Sequence, residues 1–349
     1  MADQINKTDV SELGEFGLID KLTGAVSLRN KSSKIGIGDD AAVIDTGNEK
    51  YTLVSTDMLV EGVHFNMMYV PLKHLGYKAV VVNLSDIYSM NGTPKQITVS
   101  IAVSNRYTVE ALEELYKGVN LACERYGVDL VGGDTTSSVS GLVISITAIG
   151  EVEKDKLVCR SGAKENDLIC VSGDLGSAYL GLQLLEREKE VYKVNPNMKP
   201  DFSGYDYLLE RQLKPEARND VIEELKKQYI KPTAMIDISD GLSSELHHVC
   251  LSSNTGCKIF EEKLPIDSVS ISLCEEFNLE PAVSALNGGE DYELLFTVPL
   301  EAHEKIKKNV SISVIGHMCE KSEGLSLIGK SGGVVSLKAR GWNHQSDAD

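Results

Sequence analysis

The chain has 349 residues, of which 42% are hydrophobic, a length that suits about two domains of ordinary size. The hydrophobic share excludes wholesale disorder because a core of normal size can form. Lys and Arg total 35 against 52 Asp and Glu, so the formal net charge is −17. This acidic balance argues against a general nucleic-acid binder, which needs a basic face, and against adhesion to an anionic membrane surface.

Neither the apolar runs nor the cysteines indicate an exported or membrane protein. No apolar run approaches the ~18–20 residues of a membrane span, and residues 1–7 are polar, without a signal-peptide core. The seven cysteines are scattered and form no CxxC pair, which disfavours a disulfide framework or a zinc ribbon. We therefore expect a cytoplasmic protein with reduced thiols, most of them buried.

The first 150 residues alternate predicted helices and strands. Helices are predicted over residues 11–23, from Pro71 to about Met90, and over 109–126, where Thr108 is the expected N-cap. Strands are predicted over residues 50–56, 96–103, 128–131 and 142–149. This alternation is typical of an α/β or α+β domain.

A second α/β unit is predicted to begin near Gly162, and we divide the chain into residues 1–155 and 156–349. Strands are predicted over residues 167–171 and 292–298, and helices over 178–185, 205–212, 216–229, 241–250 and 299–308. The charged, proline-containing stretch 188–203 is interpreted as a surface excursion.

Two nucleotide-binding motifs match by letter but not by context. Residues 324–331 fit the P-loop formula, yet the residues between its glycines alternate like a strand, and a hairpin and another strand are expected to follow. Residues 36–41 fit a relaxed dinucleotide fingerprint, yet Asp39 and Asp40 would repel a pyrophosphate unless a metal bridges them, and a strand is expected next. We expect neither motif to work as its formula implies.

The more informative signal is a set of aspartates, each beside glycine, serine or threonine, and most at the end of a hydrophobic stretch. They lie at residues 38–40, 55–57, 83–86, 132–136 and 236–241. Each aspartate alone could be a turn former or a helix cap. Asp86 differs because it lies inside an apolar helical stretch, where a carboxylate is costly unless it is paired or bound to a cation.

Converging carboxylates would repel one another and raise each other's pKa values, and divalent cations relieve that repulsion. The acidic runs contain no His or Cys partner, so an oxygen-only ligand set favours Mg²⁺ over zinc. Small neighbouring residues would let backbone N–H groups approach phosphate oxygens. The pattern therefore predicts a magnesium and phosphate site, provided that the acids meet in space.

Eight motifs occur in one order along nearly the whole chain, at residues 14–19, 38–43, 55–65, 83–86, 132–136, 160–164, 237–242 and 288–294. Together they resemble the thiamine-monophosphate kinase family. The wider superfamily includes aminoimidazole ribonucleotide synthetase and selenophosphate synthetase. The resemblance implies two mixed α/β domains, the first binding ATP and Mg²⁺ and mediating dimerisation. It also implies a homodimer whose N-terminal halves pair into a β-barrel, with ATP in a cleft shared by the subunits.

The implied reaction is ATP- and Mg²⁺-dependent phosphorylation of thiamine monophosphate to thiamine diphosphate by direct in-line transfer. The implied metal ligands are Asp40, Ser55, Thr56, Asp57, Asp86, Asp134, Asp237 and Asp240. The implied ATP contacts are Gly133, Asp134, Arg160 and Ser239, and the implied substrate contacts are His64, Glu290 and Trp342. Of these, Asp57, Asp134, Asp237 and Arg160 are the expected catalytic residues. A phosphate nucleophile is largely ionised near neutral pH, so no general base is required.

Purely structural roles stay open as alternatives for the three substrate contacts. His64 could be structural, Glu290 could close a turn, and Trp342 could pack the C-terminal segment, where the family often has Tyr or Phe. Selenophosphate synthetase is disfavoured because it needs a reactive cysteine near the N-terminus, and Cys123 is the first here. Another ATP-dependent enzyme of the superfamily, a non-catalytic acidic regulator and an NAD-dependent enzyme are the remaining alternatives.

Overall fold

The computed structural model describes residues 9–338, and these contain ten α-helices and thirteen strands. The helices are α1 Val10–Thr23, α2 Leu72–Ser89, α3 Val109–Tyr126, α4 Ser177–Val194, α5 Asp206–Leu213, α6 Asn219–Lys227, α7 Leu242–Ser253, α8 Ser268–Phe277, α9 Pro281–Asn287 and α10 His303–Ile306. The strands are β1 Ser33–Ile35, β2 Ala42–Ile44, β3 Lys50–Val60, β4 Thr93–Val103, β5 Asp129–Ser137, β6 Val143–Glu153, β7 Leu168–Ser172, β8 Ala234–Ile238, β9 Gly256–Phe260, β10 Glu293–Val298, β11 Ile312–Cys319, β12 Leu325–Ile328 and β13 Val334–Ser336. No helix in this part of the chain is long and apolar enough to cross a membrane.

The first six strands form one sheet with the order β1-β2-β3-β6-β4-β5. All its pairs are antiparallel except β4 with β5, which α3 connects. Residues on β3, β4 and β6 alternate between buried and half-exposed positions, as expected for a sheet covered on one face. Helix α2 covers that face, and its residues from Leu75 to Ser85 are all buried.

The remaining seven strands form a second sheet with the order β13-β12-β9-β11-β7-β10-β8. Strands β7 and β10 and the edge strand β8 are buried along their whole length, so helices and the first unit cover both faces. One hydrophobic cluster joins α2 to strands of this second sheet through residues such as Met235 and Phe296. The ends of β8 and β3 are thereby held against the same helix.

Most predicted elements are confirmed as mixed α/β structure in two sheets. Helix α3 has the predicted bounds, and the Thr108 hydroxyl accepts a hydrogen bond from the Ala111 N–H, as an N-cap should. The predicted helix over residues 299–308 is instead a 3₁₀ turn followed by the four residues of α10. The short strand β1 was not predicted, because three residues carry too little periodicity.

The interpretation of residues 188–203 as a surface excursion is wrong for its first part. Helix α4 continues to Val194, and Glu188 is buried with its carboxylate accepting from the Asp201 N–H at 3.1 Å. Charged residues obscured the helical pattern, because long side chains can bury their stems and pair their charges at the ends.

The two misleading motifs fold as their context predicted. Residues 325–328 of the P-loop formula form strand β12, and a turn leads into strand β13, which pairs with β12. In the other motif, strand β2 begins at Ala42, directly after the two aspartates. Neither segment leads into a helix, so neither provides the helix N-terminus that a phosphate would bind.

Candidate active site

Three aspartates from distant parts of the chain meet between the two sheets. Asp40 precedes β2, Asp86 lies on α2, and Asp237 lies on β8. One carboxylate oxygen of each lies within 4.8 Å of the other two. The predicted convergence of the acids is therefore present in the single chain, and oxygen-only ligands at such spacing suit Mg²⁺.

Strand β3 adds two more of the expected residues to this cluster. The Ser55 hydroxyl donates to Asp86 Oδ2, and the Asp57 backbone N–H donates to Asn83 Oδ1 at 2.9 Å. Because side chains alternate along a strand, Ser55 and Asp57 both point toward α2. Helix α2 thus carries one acid of the cluster and also holds the strand that supplies another.

The buried position of these acids raises their pKa values. Burial, followed by repulsion from Asp57, holds the pKa of Asp86 well above its usual range. Burial, followed by repulsion from Asp40, raises the pKa of Asp237 to about 8. The pKa of Asp57 is also raised, chiefly by burial. A site that destabilises several carboxylates is one that a divalent cation would stabilise.

Arg160 is the cation closest to this cluster. Its Nε and one terminal nitrogen lie 2.7 and 2.6 Å from Asp40 Oδ1, while the Ser89 hydroxyl donates to Asp40 Oδ2 at 2.5 Å. The neighbouring Asp39 accepts from the Arg160 backbone N–H at 3.2 Å, and burial raises its pKa to about 6. Arg160 therefore fixes the loop that carries both aspartates.

Ser239 and Asp240 follow β8 and precede α7. The Asp240 backbone N–H donates to Glu245 Oε1 at 3.0 Å, so a buried carboxylate of α7 shapes this turn. Burial and repulsion from Asp240 hold the pKa of Glu245 well above its usual range. The turn places both expected residues at the wall of the same cavity as Asp57 and Asp237.

A cavity of about 600 Å³ opens beside the aspartates. His64 and Glu290 line it, together with Asp57, Asp86 and Asp237. His64 Nδ1 accepts a hydrogen bond from the Val60 N–H at 3.1 Å, so a neutral His64 ring carries its proton on Nε2. The cavity is therefore lined by aspartates together with a histidine and a glutamate, and the substrate roles of the last two stay predictions.

Three expected residues in the described part of the chain do not join the cluster within one chain. Thr56 lies on the opposite face of β3 from Asp57, where its hydroxyl donates to the Ile146 carbonyl at 3.1 Å. Gly133 and Asp134 lie on the exposed edge strand β5. Strands β6 and β4 separate that edge from β3, a span of roughly 14 Å across the sheet. Trp342 lies outside the described residues.

Gly133 has a structural reason to be glycine. A Cβ atom there would lie 1.8 Å from the Val99 carbonyl oxygen on β4, so any side chain would force the two strands apart. The glycine of this motif is thus required for sheet packing, whether or not it also contacts a nucleotide.

Several polar residues of the site could not be predicted from the aspartate pattern. Lys78 is buried on α2 and pairs with Glu290, and Gln212 on α5 donates to the same carboxylate. Asn83 and Glu245 hold the backbone of the expected ligands. The one sequence signal for Lys78 was its position beside the apolar run 79–82, where a lysine needs a partner.

Part of the chain matches a known protein family. Residues 38–152 match the family described as "AIR synthase related protein, N-terminal domain". The first sheet, with its acidic loop and helix α2, is therefore an AIR-synthase-type unit.

The full length points to one family within that class. The chain is 36% identical to the thiamine-monophosphate kinase of Bacillus subtilis, covering 95% of this chain and 99% of the relative. It is 37% identical to that of Aquifex aeolicus, covering 96% and 99%. The solved structure described as "AaThiL complexed with AMPPCP and TMP" matches with a TM-score of 0.83 at 35% identity, over 97% of this chain and 99% of that one. The chain belongs to the thiamine-monophosphate kinase family.

Proposed function

We propose that this protein transfers the terminal phosphoryl group of ATP to thiamine monophosphate and so forms thiamine diphosphate. Its relatives carry the name of that activity, and one of them was solved with an ATP analogue and TMP. The observation that carries the proposal is that acids of the aspartate cluster line one cavity together with His64 and Glu290. The aspartates suit a metal-bound polyphosphate, and the histidine and the glutamate suit an organic group.

The residues present fit magnesium. Asp40, Asp86 and Asp237 offer oxygen atoms within 4.8 Å of one another, and Asp57 lies beside them with its pKa raised. Asp57 and Asp240 also line the cavity, where a metal would meet a substrate. Bound Mg²⁺ neutralises phosphate charge and helps align the attacking and leaving oxygens. We assign Asp40, Ser55, Asp57, Asp86, Asp237 and Asp240 to this role within one chain.

The chain's own residues then have to orient two phosphate groups and exclude water. The phosphate of the acceptor is the nucleophile and is largely ionised near neutral pH, because its second pKa is ~6. No protein base has to take its proton. Arg160 has further N–H groups beyond those that bind Asp40, and its planar fork suits a phosphate of ATP. Ser239, at the cavity wall, is assigned to the same nucleotide.

The part of the cavity wall formed by His64 and Glu290 is assigned to the thiamine part of the substrate. His64 can present an Nε2–H donor there, and Glu290 presents a carboxylate. A carboxylate attracts the cationic thiazolium ring and accepts from amino groups. Trp342 remains an assignment from the resemblance alone.

We further propose a homodimer in which the N-terminal sheets of two copies pair into a barrel. The first sheet is open within the described residues, and all nine residues of its edge strand β5 are exposed. Its uncovered face carries half-exposed apolar residues such as Val54 and Ile149. Thr56 and Asp134 would then serve a site completed by the second copy. Under this proposal residues 1–155 bind ATP and Mg²⁺ and dimerise, and residues 156–349 form the C-terminal domain. The cytoplasmic location stays a prediction.

The test is formation of thiamine diphosphate by the purified protein from thiamine monophosphate and ATP, with Mg²⁺ or with excess chelator. We expect product with Mg²⁺ and none with chelator, and activity should return when Mg²⁺ is restored. A folded protein that binds ATP and Mg²⁺ but forms no thiamine diphosphate would contradict the proposal. Other phosphate monoesters would then be tested as acceptors, and failure of all of them would favour a non-catalytic regulator.

A further inference from the structure

The carboxylate of Glu290 is held from behind by two side chains of other elements. Lys78 Nζ lies 2.9 Å from Glu290 Oε2, and Gln212 Nε2 donates to the same oxygen at 2.6 Å. The Lys78 ammonium also donates to the backbone carbonyl oxygen of Gln212 at 3.0 Å. Both contacts fall on Oε2, so the other oxygen of the carboxylate remains to face the cavity.

The burial of Lys78 makes this pairing more than a surface ion pair. Its side chain is 6% exposed, while that of Glu290 is 21% exposed at the cavity wall. A buried ammonium needs a negative partner, because an unpaired charge in the protein interior is strongly unfavourable. Lys78 therefore needs Glu290 as its partner, and the pair fixes where the Glu290 carboxylate lies.

Gln212 is oriented by the same contact. Its amide nitrogen points at Glu290, and its Oε1 has no hydrogen-bond partner among the described residues although it is buried. The opposite orientation would bring the Gln212 oxygen against a carboxylate oxygen. The Gln212 nitrogen therefore binds Glu290 while the Gln212 oxygen is left without a hydrogen bond among the described residues.

The backbone of Glu290 is constrained as well. Its φ of 65° is unusual for a residue other than glycine, and its N–H donates to the Ser239 carbonyl at 2.7 Å. Two residues along, Tyr292 also has a positive φ of 50°, and its N–H donates to the Ile238 carbonyl at 2.8 Å. Such conformations persist where the surroundings over-determine them, and often at functional sites.

We propose that Lys78 is a positioning residue that holds the Glu290 carboxylate in place as an acceptor for the thiamine part of the substrate. This inference rests on the substrate role proposed for Glu290 above. Lys78 and Asp86 lie on one helix, α2, so that helix carries an acid of the metal cluster and also holds Glu290 through Lys78. Lys78 itself does not touch the reacting phosphates.

The experiment compares the variants Lys78→Met, Lys78→Arg, Glu290→Gln and the double variant Lys78→Met/Glu290→Gln with the wild type. The kcat and the KM values for thiamine monophosphate and for ATP are measured with Mg²⁺. Lys117→Met, at an exposed position on α3, is the matched control. Loss of a hydrogen bond to a charged group should raise the KM for thiamine monophosphate about tenfold or more in both single variants. The KM for ATP should change less than about twofold, and Lys78→Arg should recover part of the loss.

The double variant distinguishes positioning from two separate effects. If Lys78 acts through Glu290, the double variant is no worse than Glu290→Gln alone. Two results would overturn the role of Lys78 and leave that of Glu290. In the first, the increases in KM of the two single variants multiply in the double variant. In the second, Glu290→Gln raises the KM for thiamine monophosphate but Lys78→Met does not. An unchanged KM in Glu290→Gln would instead overturn the substrate role itself. Should Lys78→Met fail to fold, Gln212→Leu replaces it, with the same expected pattern on KM.

Discussion

Arg160 contacts Asp40 through two nitrogen atoms that converge on one carboxylate oxygen, at 2.7 and 2.6 Å. The Asp40 side chain is fully buried, whereas that of Arg160 is 24% exposed. The pair joins the loop before β2 to the segment between the two sheets. Burial still raises the pKa of Asp40 despite this partner, so the pair offsets only part of the cost of placing that acid in the site.

We expect Arg160→Met to destabilise the protein and to abolish activity. Removing one partner of a buried pair leaves the other charge uncompensated, and the partial exposure of Arg160 limits the cost to about 2–3 kcal/mol. Urea denaturation in chelator measures this cost, and Arg106→Met, at an exposed ion pair, is the control. Adding Asp40→Asn to Arg160→Met should recover most of the lost stability. A double variant as unstable as Arg160→Met would contradict the pairing argument.

Asp57→Asn should lower the activity of the protein and raise its stability in the absence of Mg²⁺. The substitution removes a carboxylate whose pKa is raised by burial and by Asp240 and Asp40. Without Mg²⁺ the variant should therefore have a larger free energy of unfolding than the wild type near pH 8. Its turnover should fall roughly 100-fold or more, because a metal ligand is lost.

Thermal unfolding with and without Mg²⁺ and the product assay measure both effects. Asp155→Asn, whose side chain is 73% exposed, should change neither quantity. Near-wild-type activity of Asp57→Asn would remove Asp57 from the metal site.

Lys330→Ala tests the P-loop formula at residues 324–331. Lys330 is 74% exposed in its side chain and lies 3.7 Å from Glu261, beyond the end of β12. No helix follows it among the described residues up to 338, and it does not line the cavity, so it should not bind ATP. We expect kcat and the KM for ATP to stay within about twofold of wild type. A tenfold rise in the KM for ATP would mean that the motif binds nucleotide after all.

Local features of this fold were predictable because they depend on neighbouring residues. Thr108 and the apolar spacing after it predict α3 to the residue. Hydrophobic stretches ending in Asp identify the aspartate loops. The meeting of Asp40, Asp86 and Asp237 was expected only from the resemblance, because it depends on how two sheets pack on one helix and no local pattern encodes that packing.

The alternation of side chains along a strand predicts which residues share a face, and the motif pattern did not use it. Ser55, Thr56 and Asp57 were expected as ligands together, yet successive side chains on a strand point to opposite faces, and Thr56 indeed points away from the cluster. Lys78 was missed for another reason. Its partner Glu290 lies more than 200 residues away, and only tertiary packing shows that the buried ammonium is paired.

Ile149→Lys should break the proposed dimer. Ile149 lies on the uncovered face of the first sheet, opposite Val54 on β3 and Gln96 on β4. A charge there would be buried against a second copy without a partner. Light scattering at micromolar concentration should give twice the 38.0 kDa of one chain for the wild type and one chain's mass for the variant. Ile271→Lys on the exposed surface of α8 is the control, and a wild-type particle of one chain's mass would exclude the dimer.

His248 should make the protein sensitive to acid. It lies on α7 with the Phe16 ring edge-on at a centroid distance of 4.7 Å. Burial, followed by repulsion from Arg160, lowers the pKa of His248 from 6.5 to about 4. Below pH 6.5 the unfolded chain therefore takes up this proton before the folded protein does.

The stability that the buried, neutral His248 contributes is fully present above pH 6.5 and is lost as the pH falls toward 4. The loss attributable to this residue amounts to about 3 kcal/mol. The aspartates with raised pKa values act in the opposite direction, so only the difference between two proteins isolates the histidine. We expect the free energy of unfolding of His248→Gln, measured by urea denaturation in chelator, to approach or exceed that of wild type as the pH falls from 7 to 4. His303→Gln, at an exposed position, is the control substitution. A constant difference between His248→Gln and wild type across this range would show that His248 takes its proton equally in both states, and that its packing against α1 does not exclude the charged form.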